Sequence, residues 1–335
     1  MSRSQACFMG SWKGSPLPAA YGSRWLARPL GMLLCLAGLT ALLGACSSPR
    51  ADQGSAPQAK GLQVITTFLP ITLLTRAVAG DCAEVKPLVP PSSGPHDFQA
   101  KPGDLLALRQ ARVLVKNGLG VESFLDALIT SAENPQLMVI DSSRGVRTIA
   151  SGDGQHEGHG HGPVNPHIWL DPLRAAQQVA TISEGLAKAD PGCAEGYRRR
   201  AAATTAQLRQ LDSDLGRQLL PFKGKTFVAF HDVAPYFAER YGLKVQFLVD
   251  VPDINPTPAD LQRVAEAVKG SQLRAVLSEP QAAERSFRAL AEDLGVRIGL
   301  FDPLEAGSEE ASRDPATYFA TMRRNGANLV KAFGG

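Results

Sequence analysis

Aromatic side chains are scarce in this chain, 6% of 335 residues, so few rings are available to stack on nucleic-acid bases. Basic charge is scarce too, once its position is considered. The formal net charge of +3 comes from Arg3, Lys13, Arg24 and Arg28 in residues 1–45, which contain no acid; the remainder sets 31 basic against 32 acidic side chains. A basic face for nucleic acid finds no support in that balance, and no nucleic-acid partner is expected. Missing as well are Gly-x-Gly-x-x-Gly, a phosphate-binding loop, Cys-x-x-Cys and His-Glu-x-x-His. Ser278 lacks a Gly-x-Ser-x-Gly setting. The familiar signatures of nucleotide, dithiol, metalloprotease and serine-hydrolase chemistry are therefore absent.

One long apolar run is present, Pro29 to Ala45, preceded by Arg24 and Arg28 and followed by Cys46-Ser47-Ser48. A positive start, a short apolar stretch and small residues at the exit are the plan of an export signal over residues 1–45. The ending Leu43-Gly44-Ala45-Cys46 is similar to a bacterial lipobox, which makes Cys46 the expected lipid anchor. Residues 46–61 are mostly Ser, Pro, Gln, Ala and Gly; without large apolar groups they cannot repay the entropy of ordering and read as a flexible tether. The expected location is exported, periplasmic or cell-surface, and attached to a membrane through lipid. Of the five cysteines, Cys82 and Cys193 then remain in the mature domain. In an exported chain two such thiols form either a disulfide or two separate buried thiols.

Beyond the tether, short β-branched runs alternate with segments of helical period, which implies an α/β fold of two lobes, each with a mainly parallel sheet flanked by helices. The first lobe spans 62–191 and the second 221–335. Between them, 192–220 carries Ala201, Thr205, Leu208, Leu211, Leu215 and Leu219 at three- and four-residue steps. That spacing predicts one long, rigid connecting helix.

Histidine is rare, six residues in all, and its placement is informative. His96 follows the second strand, His167 lies in Asn165-Pro166-His167-Ile168-Trp169-Leu170-Asp171-Pro172 just before a helix, and His231 ends the strand Phe227 to Phe230. In open α/β sheets ligands bind beyond the carboxyl ends of strands, so these three imidazoles can share one crevice. Asp302, in Leu300-Phe301-Asp302-Pro303-Leu304, is the expected carboxylate partner; Glu279, at another strand end, competes for that role as an alternative ligand or a group behind the ligands. Three imidazoles and a carboxylate suit Zn2+ better than manganese or magnesium, which prefer oxygen. His156, His159 and His161 sit in a Gly-rich stretch, 152–162, which reads as a loop with auxiliary metal affinity.

The leader, Pro95-His96-Asp97-Phe98-Gln99-Ala100-Lys101-Pro102-Gly103-Asp104, Asn117-Gly118-Leu119-Gly120-Val121-Glu122, the His-rich loop, Pro166-His167-Ile168-Trp169-Leu170-Asp171-Pro172, Phe230-His231-Asp232 and Phe301-Asp302-Pro303-Leu304 together resemble the zinc-type, metal-binding solute-binding lipoproteins of bacterial ABC importers (cluster A-I) over residues 62–333. The resemblance implies two pseudo-symmetric lobes, a rigid linking helix, a metal in the cleft and delivery of Zn2+ to a membrane permease by a monomeric, non-enzymatic receptor. Zn2+ is then cargo. The family's three histidine ligands fall on His96, His167 and His231, and its fourth position on Asp302, with water as the other option because Pro95 replaces the Glu some relatives place beside the first histidine. Manganese relatives carry Glu at the third position, so His231 argues for zinc. A manganese receptor or a metal-dependent surface adhesin of the same fold are the competing readings. The family topology also implies that Cys82 and Cys193 are bridged at the base of the first lobe.

Overall fold

The computed structural model describes residues 61–96, 98–151, 162–252, 255–280 and 285–334. The export signal, Cys46, the tether through Lys60 and the loop histidines His156, His159 and His161 lie outside the described residues. No described helix is long and apolar enough to cross a membrane.

The first half runs β1 (Leu62–Thr66), α1 (Leu69–Ala79), β2 (Ala83–Pro87), α2 (Pro102–Gln110), β3 (Val113–Lys116), α3 (Leu125–Ala132) and β4 (Met138–Asp141). Its strands form a parallel sheet in the order β2-β1-β3-β4, with Val64 opposite both Val85 and Val113. The second half repeats the plan with β5 (Thr226–His231), α6 (Pro235–Tyr241), β6 (Lys244–Val249), α7 (Pro258–Ser271), β7 (Ala275–Ser278), α8 (Arg285–Asp293) and β8 (Arg297–Leu300). Its sheet is parallel too, in the equivalent order β6-β5-β7-β8. Central strands such as β3 and β7 are buried along nearly their whole length, as their continuous apolar runs require of a sheet covered on both faces. Each sheet has one point where strand order reverses, between β1 and β3 in the first and between β5 and β7 in the second. Such a point opens a crevice at the strands' carboxyl ends.

Helices α5 (Ala194–Leu219) and α10 (Ala316–Ala332), the latter preceded by the short α9 (Glu309–Arg313), pack on both halves, and α4 (Pro172–Ala189) reaches the second half through Arg174, which donates to Glu239 of α6 at 2.8 Å. Helix α5 has 26 residues, about 39 Å at the usual rise. It buries Tyr197, Ala201, Thr204, Leu208, Leu211, Leu215 and Leu219 against α1 and α4 on one side and α6 and α10 on the other. The apolar stripe anticipated from the sequence is present, with Thr204 rather than Thr205 on its buried line. Gly326 of α10 permits the close crossing, since a Cβ there would stand 2.5 Å from Leu215. At the other end of α5, Cys193 is disulfide-bonded to Cys82, with Cα atoms 6.2 Å apart. Arg200 reinforces this corner by donating to the carbonyls of Val78 and Ala79, which the end of α1 leaves without helical partners.

The spacing predicts a helix from Glu122; the observed α3 begins at Leu125. Glu122 is engaged elsewhere. Its buried carboxylate accepts from the Thr67 hydroxyl at 2.8 Å and from the backbone N–H groups of Asn117 and Gly118 at 2.6 and 3.0 Å, closing the crevice between β1 and β3. Burial pushes this carboxyl up to about 7 against the pull of those three donors.

Candidate metal centre

His231 is the last residue of β5 and is wholly buried at the reversal point of the second sheet. His167 is equally buried, on a turn locked from both sides: Pro166 precedes it, and Asp171 caps α4 by accepting from the Leu173 N–H at 2.8 Å. His96 comes from the loop between β2 and α2 and keeps a slight exposure. The structure brings these three rings together, with centroid separations of 5.2 to 6.4 Å.

The carboxylate that joins them is Glu305. Its Oε1 lies 3.1 Å from His96 Nε2, 3.0 Å from His167 Nε2 and 3.7 Å from His231 Nε2. One ligand atom from each of the four residues falls within 4.8 Å of every other. Asp302, expected here from the sequence, stands outside that group and shapes the turn beside it. Its Oδ1 accepts from the Leu304 N–H at 2.8 Å, and Asn325 clamps its backbone at both N–H and C=O. The turn so formed puts Leu304 at φ 63°, a left-handed conformation that side chains rarely adopt, and swings Glu305 into the cleft. Trp169, two residues after His167, holds the same turn by donating to the Pro303 carbonyl at 2.8 Å. The sequence signal for Glu305 was slight: a carboxylate three residues beyond the expected one, after a Pro-containing turn.

Glu279 also takes a supporting place. It follows β7, is buried, and its Oε1 lies 2.5 Å from His231 Nδ1 and 3.3 Å from the His231 backbone N–H. His167 Nδ1 faces Asn165 Oδ1 at 2.9 Å. A carboxylate and an amide oxygen only accept, so both Nδ1 atoms carry their protons and, in the neutral rings, both Nε2 atoms turn lone pairs inward. The inward partners are another lone pair, His167 Nε2 to His231 Nε2 at 3.4 Å, and the acceptor-only Glu305. A divalent cation satisfies such a convergence of lone pairs; protons do so only by charging a buried imidazole.

The electrostatics follow from the same geometry. Burial pulls His167 down to about 4, with Glu305 acting in the opposite sense. Burial also opposes the charged form of His231, but Glu279 and Glu305 outweigh it and hold that ring well above its ordinary value. Glu305 is penalised by burial yet kept well below the usual carboxylate range by His96, His231 and His167. Paired opposite tendencies of this kind mark a site built for charge.

Comparison with known proteins agrees in kind. The family model described as ZnuA, zinc-uptake complex component A, periplasmic, matches residues 64–332. The zinc-binding lipoprotein AdcA of Streptococcus pneumoniae strain R6 is 29% identical over 300 residues, covering 87% of this chain but 59% of AdcA; the chain thus spans well under two thirds of that relative. The high-affinity zinc uptake system protein ZnuA of Bacillus subtilis is 26% identical over 300 residues, covering 88% of this chain and 94% of that one. The crystal structure of the Zn(II)-bound ZnuA-like domain of Streptococcus pneumoniae AdcA superposes with a TM-score of 0.70 at 26% identity, covering 82% of this chain and 100% of that one.

Proposed function

The chain belongs to the family of periplasmic zinc-uptake complex component A proteins, and from that premise we propose that it is a high-affinity extracytoplasmic receptor that takes Zn2+ into the cleft between its lobes and hands it to the membrane permease of an ABC importer. The observation that carries this reading is the convergence of His96, His167, His231 and Glu305 in one buried group. Three neutral imidazoles and one carboxylate supply a four-coordinate N3O set, which suits zinc and gives manganese too few oxygens. A carboxylate in the fourth position leaves no open site for an activated water, which argues for carrying the ion rather than using it in hydrolysis.

Donors drawn from both halves let the ion hold the lobes together, so bound Zn2+ raises thermal stability by mass action. Protons compete for the same imidazoles; His231, held well above its ordinary value by Glu279 and Glu305 despite its burial, is the ring whose proton the ion must displace, so affinity falls as pH drops. On the same reading Cys46 is the lipid anchor, residues 46–61 the tether, 62–191 and 221–335 the lobes of a monomer, and 192–220 their connector. The lipoprotein relative supports the anchor. His156, His159 and His161 would gather zinc without forming the tight site.

The test is metal analysis of residues 47–335 followed by competition of Zn2+ and Mn2+ against a chelator of known affinity. One tightly held zinc per chain is expected, unaffected by substituting all three loop histidines. Manganese preference would overturn the choice of cargo, and the absence of any tight site would overturn the receptor itself.

A further inference from the structure

Asn165 is not among the four donors, yet it is fully buried and all four of its polar atoms are committed. Its backbone N–H donates to the Ile149 carbonyl at 3.0 Å, and its carbonyl accepts from the Tyr236 hydroxyl at 2.6 Å. Side-chain Oδ1 accepts from the His167 backbone N–H at 3.1 Å and faces His167 Nδ1 at 2.9 Å. Side-chain Nδ2 donates to the Asp232 carbonyl at 2.7 Å and to the Asp232 carboxylate at 3.0 Å. The two acceptors on the Asp232 side fix the amide's orientation, and that orientation in turn requires the proton of His167 on Nδ1. Asp232 is the residue after His231. A single amide therefore touches a ligand of the first lobe and the chain segment carrying a ligand of the second.

We infer that Asn165 is the positioning residue of the cleft: its amide, shared between His167 Nδ1 and Asp232, selects the nitrogen that His167 presents and sets the spacing between His167 and His231. The inference rests on the zinc-capture reading and deepens it. Groups behind a ligand that fix ring orientation typically change metal affinity 10- to 100-fold when altered. Asn165→Asp keeps the acceptor for His167 but loses both donations and places a second carboxylate oxygen against the Asp232 carbonyl and carboxylate. Asp232→Ala is the gentler probe, since it leaves the donation from Asn165 to the Asp232 carbonyl in place.

The experiment compares the mature chain with Asn165→Asp, Asp232→Ala, the double variant Asn165→Asp/Asp232→Asn, and His167→Ala as control. It measures Zn2+ affinity by chelator competition, the visible d–d absorption of the Co2+-loaded protein, and melting of the metal-free protein. Zinc affinity should fall roughly 10- to 100-fold in Asn165→Asp and less in Asp232→Ala, with an altered Co2+ band in both because the ligand geometry itself changes. The double variant relieves the contact between carboxylates and should recover part of the loss. A clip with a purely structural role would lower the metal-free melting temperature and leave the Co2+ band and zinc affinity as they were; that result in Asn165→Asp and Asp232→Ala overturns the inference. Should Asn165→Asp fail to fold, Asp232→Ala decides alone. If His167→Ala retains tight zinc, the capture reading falls and this inference with it; loss in His167→Ala alone removes only the inference.

Discussion

The two sheets share a strand order, and each places a buried glutamate at the point where that order reverses, but the two glutamates serve different ends. In the first lobe Glu122 is surrounded by a hydroxyl and two backbone N–H groups, all within 3.0 Å. Its donors come from the ends of β1 and β3 themselves, so the crevice is closed by its own backbone. In the second lobe Glu279 meets the ring of His231. An imidazole has two nitrogens, and by engaging one the glutamate aims the other into the cleft. The same topology thus yields a structural plug when the carboxylate's partners are backbone amides and half of a metal site when its partner is an imidazole. The first lobe contributes its ligands from elsewhere, His96 from a loop and His167 from the entry to α4.

The sharpest way to break this contrast is to remove the groups that face the cleft. Apparent zinc binding energies of ~10–16 kcal/mol shared among four donors put the loss of one at roughly a hundredfold or more in affinity. His231→Ala and Glu305→Ala should both show it in chelator competition. Glu305→Ala is the more diagnostic, because retention of tight zinc there would return the fourth position to water or to another carboxylate.

Next in size is the pair Glu279→Gln and Glu122→Gln. The amide at 279 can still accept from His231 Nδ1 but lacks the charge that supports it, and zinc affinity should fall ~10- to 100-fold. The same substitution at 122 should leave zinc affinity nearly unchanged. It turns an amide donor toward backbone N–H groups and should cost about 1–3 kcal/mol of stability in the metal-free protein. The sign of its pH dependence is fixed by the raised carboxyl. A group that titrates at about 7 in the folded chain and near 4.5 in the unfolded chain contributes stability that is complete below 4.5 and lost as pH rises through 7. Urea unfolding should therefore show the gap between wild type and Glu122→Gln to be wider at pH 5 than at pH 8. A gap that widened toward pH 8 would mean that the three donors hold Glu122 ionised, and equal zinc losses from the two substitutions would erase the distinction between the lobes.

Much of this arrangement was legible in residue order because it depends on types that have few other uses. Six histidines in 335 residues, three of them at the ends of strands or starts of helices, pointed to one crevice, and the regular spacing along α5 announced a long helix. Asn165, Asp232 and Glu305 were harder to read, each for a physical reason. Asn165 and Asp232 act through hydrogen bonds between lobes, 67 residues apart in sequence, and short-range pattern carries no trace of such a pairing. Glu305 depends on a left-handed Leu304, a conformation that leucine does not advertise. The late start of α3 has a similar origin, since a tertiary demand on Glu122 overrode a local helical period.

The smallest expected effect tests that last turn. Asp302 acts through one oxygen, which accepts from the Leu304 N–H, while Arg324 stands 3.8 Å from the other. Burial raises its carboxyl above the usual range, so charge at this position is already disfavoured. Asp302→Asn keeps the accepting oxygen and gives up only the charge; zinc affinity should stay within roughly threefold of wild type, well short of the 10- to 100-fold typical of a group that directly orients a ligand. Asp302→Ala releases Leu304 from its strained conformation and should cost more, by letting the Glu305 carboxylate wander from the three imidazoles. A loss in Asp302→Asn as large as that in Glu305→Ala would show that Asp302 reaches the ion when the lobes close on it, and the cleft would then draw two carboxylates rather than one from the second lobe.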